Sequence, residues 1–163
     1  MLQIKTIITS LACREYSQGI FEYAASMATA FHADLIAAHV INERDIEAVR
    51  TIVTMGYNVD GEHYIQNIKK ERREIIDRII ANSGFPQEKT RVLIGAGNPI
   101  NEMLKFILNE KADMVVMGPK GRTDLEHVLV GSVASKLFKR SPVTVVSYRG
   151  EADAARLKKH IHL

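Results

Sequence analysis

The chain predicts a single doubly wound α/β domain: a parallel sheet with helices on both faces. Three observations predict it. Short apolar runs alternate with segments of helical periodicity along most of the sequence. The runs are continuous rather than alternating apolar and polar, as strands buried on both faces require. At 163 residues, the chain has the size of one domain and can bury a sizeable core.

Residues 4–9 form a β-branched run too short for a helix and read as the first buried strand. Residues 17–31 place Ile20, Tyr23, Ala24, Met27, Ala28 and Phe31 at helical spacing, with Ser17 as the expected N-cap. Residues 35–41 read as the second strand. Residues 42–59 have mixed character with Gly56 as a breaker and receive no element. Residues 62–81 are charge-rich, yet Ile65, Ile68, Ile75, Ile76, Ile79 and Ile80 recur at helical intervals, so one long amphipathic helix is expected to end near Gly84 and Pro86. Residues 91–94 are a third, short strand, and 95–98 a loop. Pro99 suits the first position of a helix running to Glu110, with Ile100, Met103, Leu104, Ile107 and Leu108 on its apolar face. Residues 114–117 are the fourth strand. Residues 130–139 are the next helix, with Val133, Leu137 and Phe138 turned inward and basic residues at its end. Pro142 stops that helix, and residues 143–147 are the fifth strand. The domain is expected over residues 1–150, followed by a polar tail, 151–163, with no role in the core.

The glycines after the fourth strand carry the functional signal. Gly118 and Gly121 are followed, nine residues on, by Gly131-Ser132, where a helix begins. Glycine allows positive φ and close approach of a ligand to the backbone. Successive N–H groups in such a loop form an anion nest, and the helix start adds the positive end of its dipole. Phosphate is the natural ligand. In open parallel sheets, ligands bind beyond the carboxyl ends of the strands, which is where this loop lies. Lys120 and Arg122 flank the loop and can neutralise phosphate charge, or serve as solvated loop cations.

Composition narrows the alternatives. The chain is 46% hydrophobic and 25% charged, the balance of an ordinary soluble domain. A net charge of +3 is too small to indicate nucleic acid without a clustered basic face. The run Lys69-Lys70-Glu71-Arg72-Arg73-Glu74 mixes signs and lacks interleaved aromatics. One cysteine, Cys13, excludes an internal disulfide framework and fits a reducing compartment. No run approaches the roughly 18 apolar residues of a membrane span, and the start of the chain has no signal layout. The expected location is the cytoplasm.

Three segments then resemble the universal stress proteins, over roughly residues 5–148. Glu15-Tyr16-Ser17 with Phe21-Glu22-Tyr23-Ala24 resembles the family's first helix, and Ala38-His39-Val40 the end of its second strand. The stretch from Ala112 through Gly118 and Gly131-Ser132 to Pro142-Val143-Thr144-Val145-Val146 is similar to the hallmark segment. The resemblance implies a five-stranded Rossmann-like sheet of the adenine nucleotide alpha hydrolase-like kind, in the order 3-2-1-4-5. It implies a homodimer formed through the last strand, at Val143 and Val145, and a stress-response module binding ATP or another adenine nucleotide, with or without magnesium. Gly118 and Gly121 would approach ribose and phosphates, with Lys120 and Arg122 beside them. Gly131, Ser132 and Val133 would offer N–H groups to the phosphates, and Val40 would line the adenine pocket. Nucleotide-binding members carry an aspartate after the first strand; Ala12 stands at the matching position here. That departure supports an alternative, a nucleotide-free dimeric interaction protein of the same fold.

No catalytic or metal-binding residue is assigned. In-line phosphoryl transfer needs a metal carboxylate and a group positioning the nucleophile, so at most slow ATP hydrolysis is expected. His39 reads as a satisfied structural histidine at a strand end, Cys13 as incidental, His127 as a surface or packing residue, and His160 and His162 as tail residues without further ligands.

Overall fold

The computed structural model describes residues 3–56, 60–119 and 130–161. Five strands, β1 (Thr6–Ser10), β2 (Asp34–Asn42), β3 (Thr90–Gly97), β4 (Met114–Met117) and β5 (Thr144–Ser147), form one sheet in the order β3-β2-β1-β4-β5. Every pairing is parallel. The helices are α1 (Ser17–Phe31), α2 (Glu43–Thr54), α3 (Gly61–Ser83), α4 (Pro99–Asn109), α5 (Ser132–Arg140) and α6 (Glu151–Lys158). The expected fold class and strand order are therefore those observed.

The continuous apolar strands have the predicted cause. On β1, Ile7 joins a cluster with Phe21 and Ala24 of α1 and Ile76 and Ile80 of α3, while its neighbour Ile8 joins Ile100, Met103 and Ile107 of α4 and Leu137 of α5. Successive side chains point to opposite faces of a sheet, so both faces carry a dry core. β1 is also fixed at its entry. The Asp113 carboxylate accepts hydrogen bonds from the Lys5 N–H at 2.7 Å and the Thr6 N–H at 3.0 Å.

Several expectations need correcting. The unassigned stretch after β2 is mostly helix α2, whose N-cap Asn42 accepts from the Arg44 N–H at 3.1 Å. Residues 57–59, which close that stretch, lie outside the described residues. Ser17 is not an N-cap. It is the first helical residue, and its Oγ accepts from the Arg14 N–H at 3.0 Å, shaping the turn that leads in. β3 runs on through residues 95–97, expected as loop. A Cβ on Gly95 would stand 2.9 Å from the tip of the Phe106 ring, so the two glycines there let α4 lie close over the strand. α5 begins two residues later than expected, at Ser132. Ala134 and Leu137 are its buried residues, Val133 is half-buried, and Phe138, expected inside, is 49% exposed. Within the polar tail, α6 (Glu151–Lys158) is a short helix that buries none of its side chains, in keeping with the expected absence of a core role among its described residues.

Leu137 is fully buried between α5 and the sheet. Leu137→Ala is expected to lower unfolding free energy by about 2–5 kcal/mol, measured by urea denaturation.

Candidate functional site

The sheet order sets the place of the site. The chain winds from β1 outward to β3 on one side and from β4 to β5 on the other, so crossovers diverge between β1 and β4. Loops leaving the carboxyl ends of those two strands flank a crevice at that point. β1 and β4 end side by side, Ser10 paired with Met117. Gly118 and Pro119 follow β4 directly and are buried.

The far end of the glycine loop returns to the same place. Gly131 N–H donates to Pro119 C=O at 2.7 Å, which pins the start of α5 against the end of β4. Gly131 is the helix N-cap, extended at φ −69° and ψ 156°, with no side-chain cap. The contrast with α2, α3 and α4 is direct. Those helices are capped by Asn42, Asp60 and Asn98, whose side chains accept from first-turn N–H groups. Four N–H groups at a helix start have no intrahelical acceptor. At α5 Pro119 takes the Gly131 N–H, and among the described residues no side chain accepts from the N–H groups of Ser132, Val133 and Ala134, which are left as donors at the crevice. Ser132 is exposed there, and Val133 packs against the core beside it. The structure thus brings Gly118, Gly131, Ser132 and Val133 together. Lys120, Gly121 and Arg122, and likewise His127, lie outside the described residues.

Val40 lies across β1, near the end of β2, half-buried and in register with Gly95 of β3. It lines a cavity of about 390 Å³ that also takes in Ala12 and Arg14 from the loop after β1. The other walls are α2, through Asp45 and Ile52, and α3, through Tyr64 and Arg72. Sequence reasoning missed this cavity because α2 was not placed. The Asn42-Glu43-Arg44-Asp45 run, a cap followed by acidic first-turn residues, was the signal that could have placed it.

His39 of β2 and Cys13 of the β1–α1 loop are both buried. The Nδ1 of His39 lies 2.7 Å from the Leu11 carbonyl oxygen. A carbonyl only accepts, so Nδ1 carries the proton and the ring ties β2 to the loop. Its structural role is the expected one. Cys13 is buried with φ 55°, a left-handed conformation for a non-glycine residue. Burial pushes its thiol up to about 11; Arg72 opposes the shift and Glu71 adds to it. A thiol held neutral is no nucleophile at physiological pH. Among the described residues, no three His, Cys, Asp or Glu side chains group to hold a metal, and no helix is long and apolar enough to cross a membrane.

The fold and this crevice define a class: doubly wound α/β proteins with a glycine loop feeding an uncapped helix at the switch point. A sequence model of the universal stress protein family matches residues 4–149, and the chain belongs to that family. Universal stress protein MJ0577 of Methanocaldococcus jannaschii is 32% identical over 127 residues, 69% of this chain and 76% of that protein. A second, MJ0531 of the same organism, is 31% identical over 129 residues, covering 77% and 71%. The solved structure of MJ0577 superposes with a TM-score of 0.74 at 23% identity, covering 92% of this chain and 99% of that one. A universal stress protein solved in complex with cAMP gives a TM-score of 0.58 at 22% identity, covering 91% and 98%.

The Cys13 thiol yields a pH prediction. Its folded pKa, about 11, stands above the ordinary value of 9.0. The folded state therefore holds its proton where the unfolded state has lost it, and stability falls as pH rises from 9 towards 11. Cys13→Ala is expected to flatten that part of the curve relative to wild type, measured by urea denaturation at stepped pH.

Proposed function

We propose that the protein is an adenine-nucleotide-binding module that works in stress response and signalling in the cytoplasm, with ATP as its ligand. One observation carries the reading: the α5 start, without a side-chain cap, is held by the Gly131–Pro119 hydrogen bond at the β1/β4 crevice. The N–H groups of Ser132 and Val133 and the Ser132 hydroxyl receive the phosphates. Gly118 and Gly121 let the ribose and phosphates approach the backbone, and Lys120 and Arg122 balance their charge. Val40 lines the base pocket. Magnesium, where present, travels on the phosphates. The cAMP complex of a protein of the same fold supports an adenine ligand. The nucleotide-binding domain is residues 1–150, with 151–163 as an appendage. Turnover is absent or slow, because no group is assigned to position a nucleophile.

The binding test is thermal unfolding with and without millimolar ATP and magnesium. A ligand at about 100 times its dissociation constant adds about 2.7 kcal/mol. The upward shift is expected in wild type and absent from folded Gly131→Val. Ala12 favours a second reading, a nucleotide-free interaction protein, since a methyl offers a ligand no hydrogen bond. No shift in nucleotide-free wild type would decide for it.

The module acts as a homodimer through the edge strand β5, which carries Val145 and follows Val143, both half-buried against the core. Sedimentation equilibrium is expected to give a dimer for wild type and a monomer for Val145→Asp.

A further inference from the structure

In the proposed complex the strand order divides the nucleotide among three neighbours. The base lies at the end of β2, beside Val40, and the phosphates at the start of α5, beside the end of β4. β1 runs between those two strands, and adjacent strands stand about 4.8 Å apart. The ribose therefore lies over the loop that leaves β1. That loop is fixed at both ends. The Leu11 N–H donates to the Ala38 carbonyl at 2.9 Å, and the Leu11 carbonyl accepts from His39. The Arg14 N–H donates to Ser17 Oγ at 3.0 Å, and the Ser17 N–H to the Arg14 carbonyl at 2.9 Å. Of this loop, Ala12 and Arg14 line the cavity that holds the base.

Ala12 offers a ribose hydroxyl no acceptor. Arg14 is exposed and carries N–H donors only. In dinucleotide sites of parallel sheets, a carboxylate receives the free ribose hydroxyl, and an arginine in its stead receives a phosphate carried on that oxygen. The Arg14 guanidinium is open to such a group: among the described residues it makes no ion pair and no side-chain hydrogen bond. The carboxylates on the cavity wall are committed elsewhere, Glu71 standing 3.7 Å from Arg72 and Asp45 having a partner of its own. We propose that the adenine nucleotide this chain selects carries a phosphate on the 2′ or 3′ oxygen of its ribose, and that Arg14 receives it. The inference rests on the nucleotide reading and names the ligand class within it. ATP fills the same crevice but leaves Arg14 unmatched.

The test is isothermal titration calorimetry of the full chain with ADP, ATP, 3′-phosphoadenosine 5′-phosphate and adenosine 2′,5′-bisphosphate. ADP and the two bisphosphates carry the same number of phosphate groups and differ in where the second one sits. ATP controls for total charge. At least one bisphosphate is expected to bind about tenfold or more tightly than either ADP or ATP, the gain of one charge-assisted bidentate pair. Arg14→Ala is expected to bring the ratio of those affinities to about one, and Arg14→Lys, which keeps the charge but loses the fork, to an intermediate value. Arg14 is exposed, so neither substitution opens the core. Ala12→Asp is expected to reverse the preference, because its carboxylate accepts from a free ribose hydroxyl and repels a phosphate there. ADP or ATP binding as tightly as both bisphosphates, or a preference unchanged in Arg14→Ala, overturns the proposal and leaves the nucleotide reading standing. No binding of any of the four nucleotides overturns both.

Discussion

The structure depends on the double burial of β1. Its residues pair with β2 on one side and β4 on the other, and its side chains enter both cores. A strand so placed tolerates no slip in register, because a shift of one residue would exchange the side chains of its two faces. Asp113 holds the strand's entry and His39 holds its exit through Leu11. The crevice is thus bounded on one side by a strand fixed at both ends.

Three of the described helices, α1, α5 and α6, begin without a side-chain cap, and of these α5 is the one that starts beside the end of β4. Asn42, Asp60 and Asn98 satisfy the first amides of their own helices, and those helices serve packing or form a cavity wall. The start of α5 has no such residue, and backbone contact with Pro119 holds it in place instead. Positioning and donor capacity are thereby supplied by different groups, so neither weakens the other.

The legibility of the sequence follows from how locally each feature is encoded. The β-branched and aliphatic runs of β1, β2 and β4 and the isoleucine period of α3 state their own structure, and the glycine spacing after β4 marks the crevice. The strand order came from family resemblance, since nothing local encodes it. The third strand was cut short because glycines read as loop, whereas Gly95 serves the fit of Phe106. Phe138 is apolar yet lies on the exposed side of α5, so apolar character alone does not mark burial. The cavity was invisible for a different reason. Arg14, Val40, Ile52 and Arg72 come from four segments far apart in the chain, and only the placing of α2 brings them to one space.

Gly131 also has a consequence for anyone seeking to harden this protein. Placing aspartate or serine there is a standard way to lengthen the life of a helix, since such a side chain would close on the free amides at once. The same closure would fill the space an incoming anion needs, and an aspartate would repel it. Greater resistance to heat at this position therefore comes with a silenced crevice, and selection for stability alone would drive the chain towards an inert scaffold.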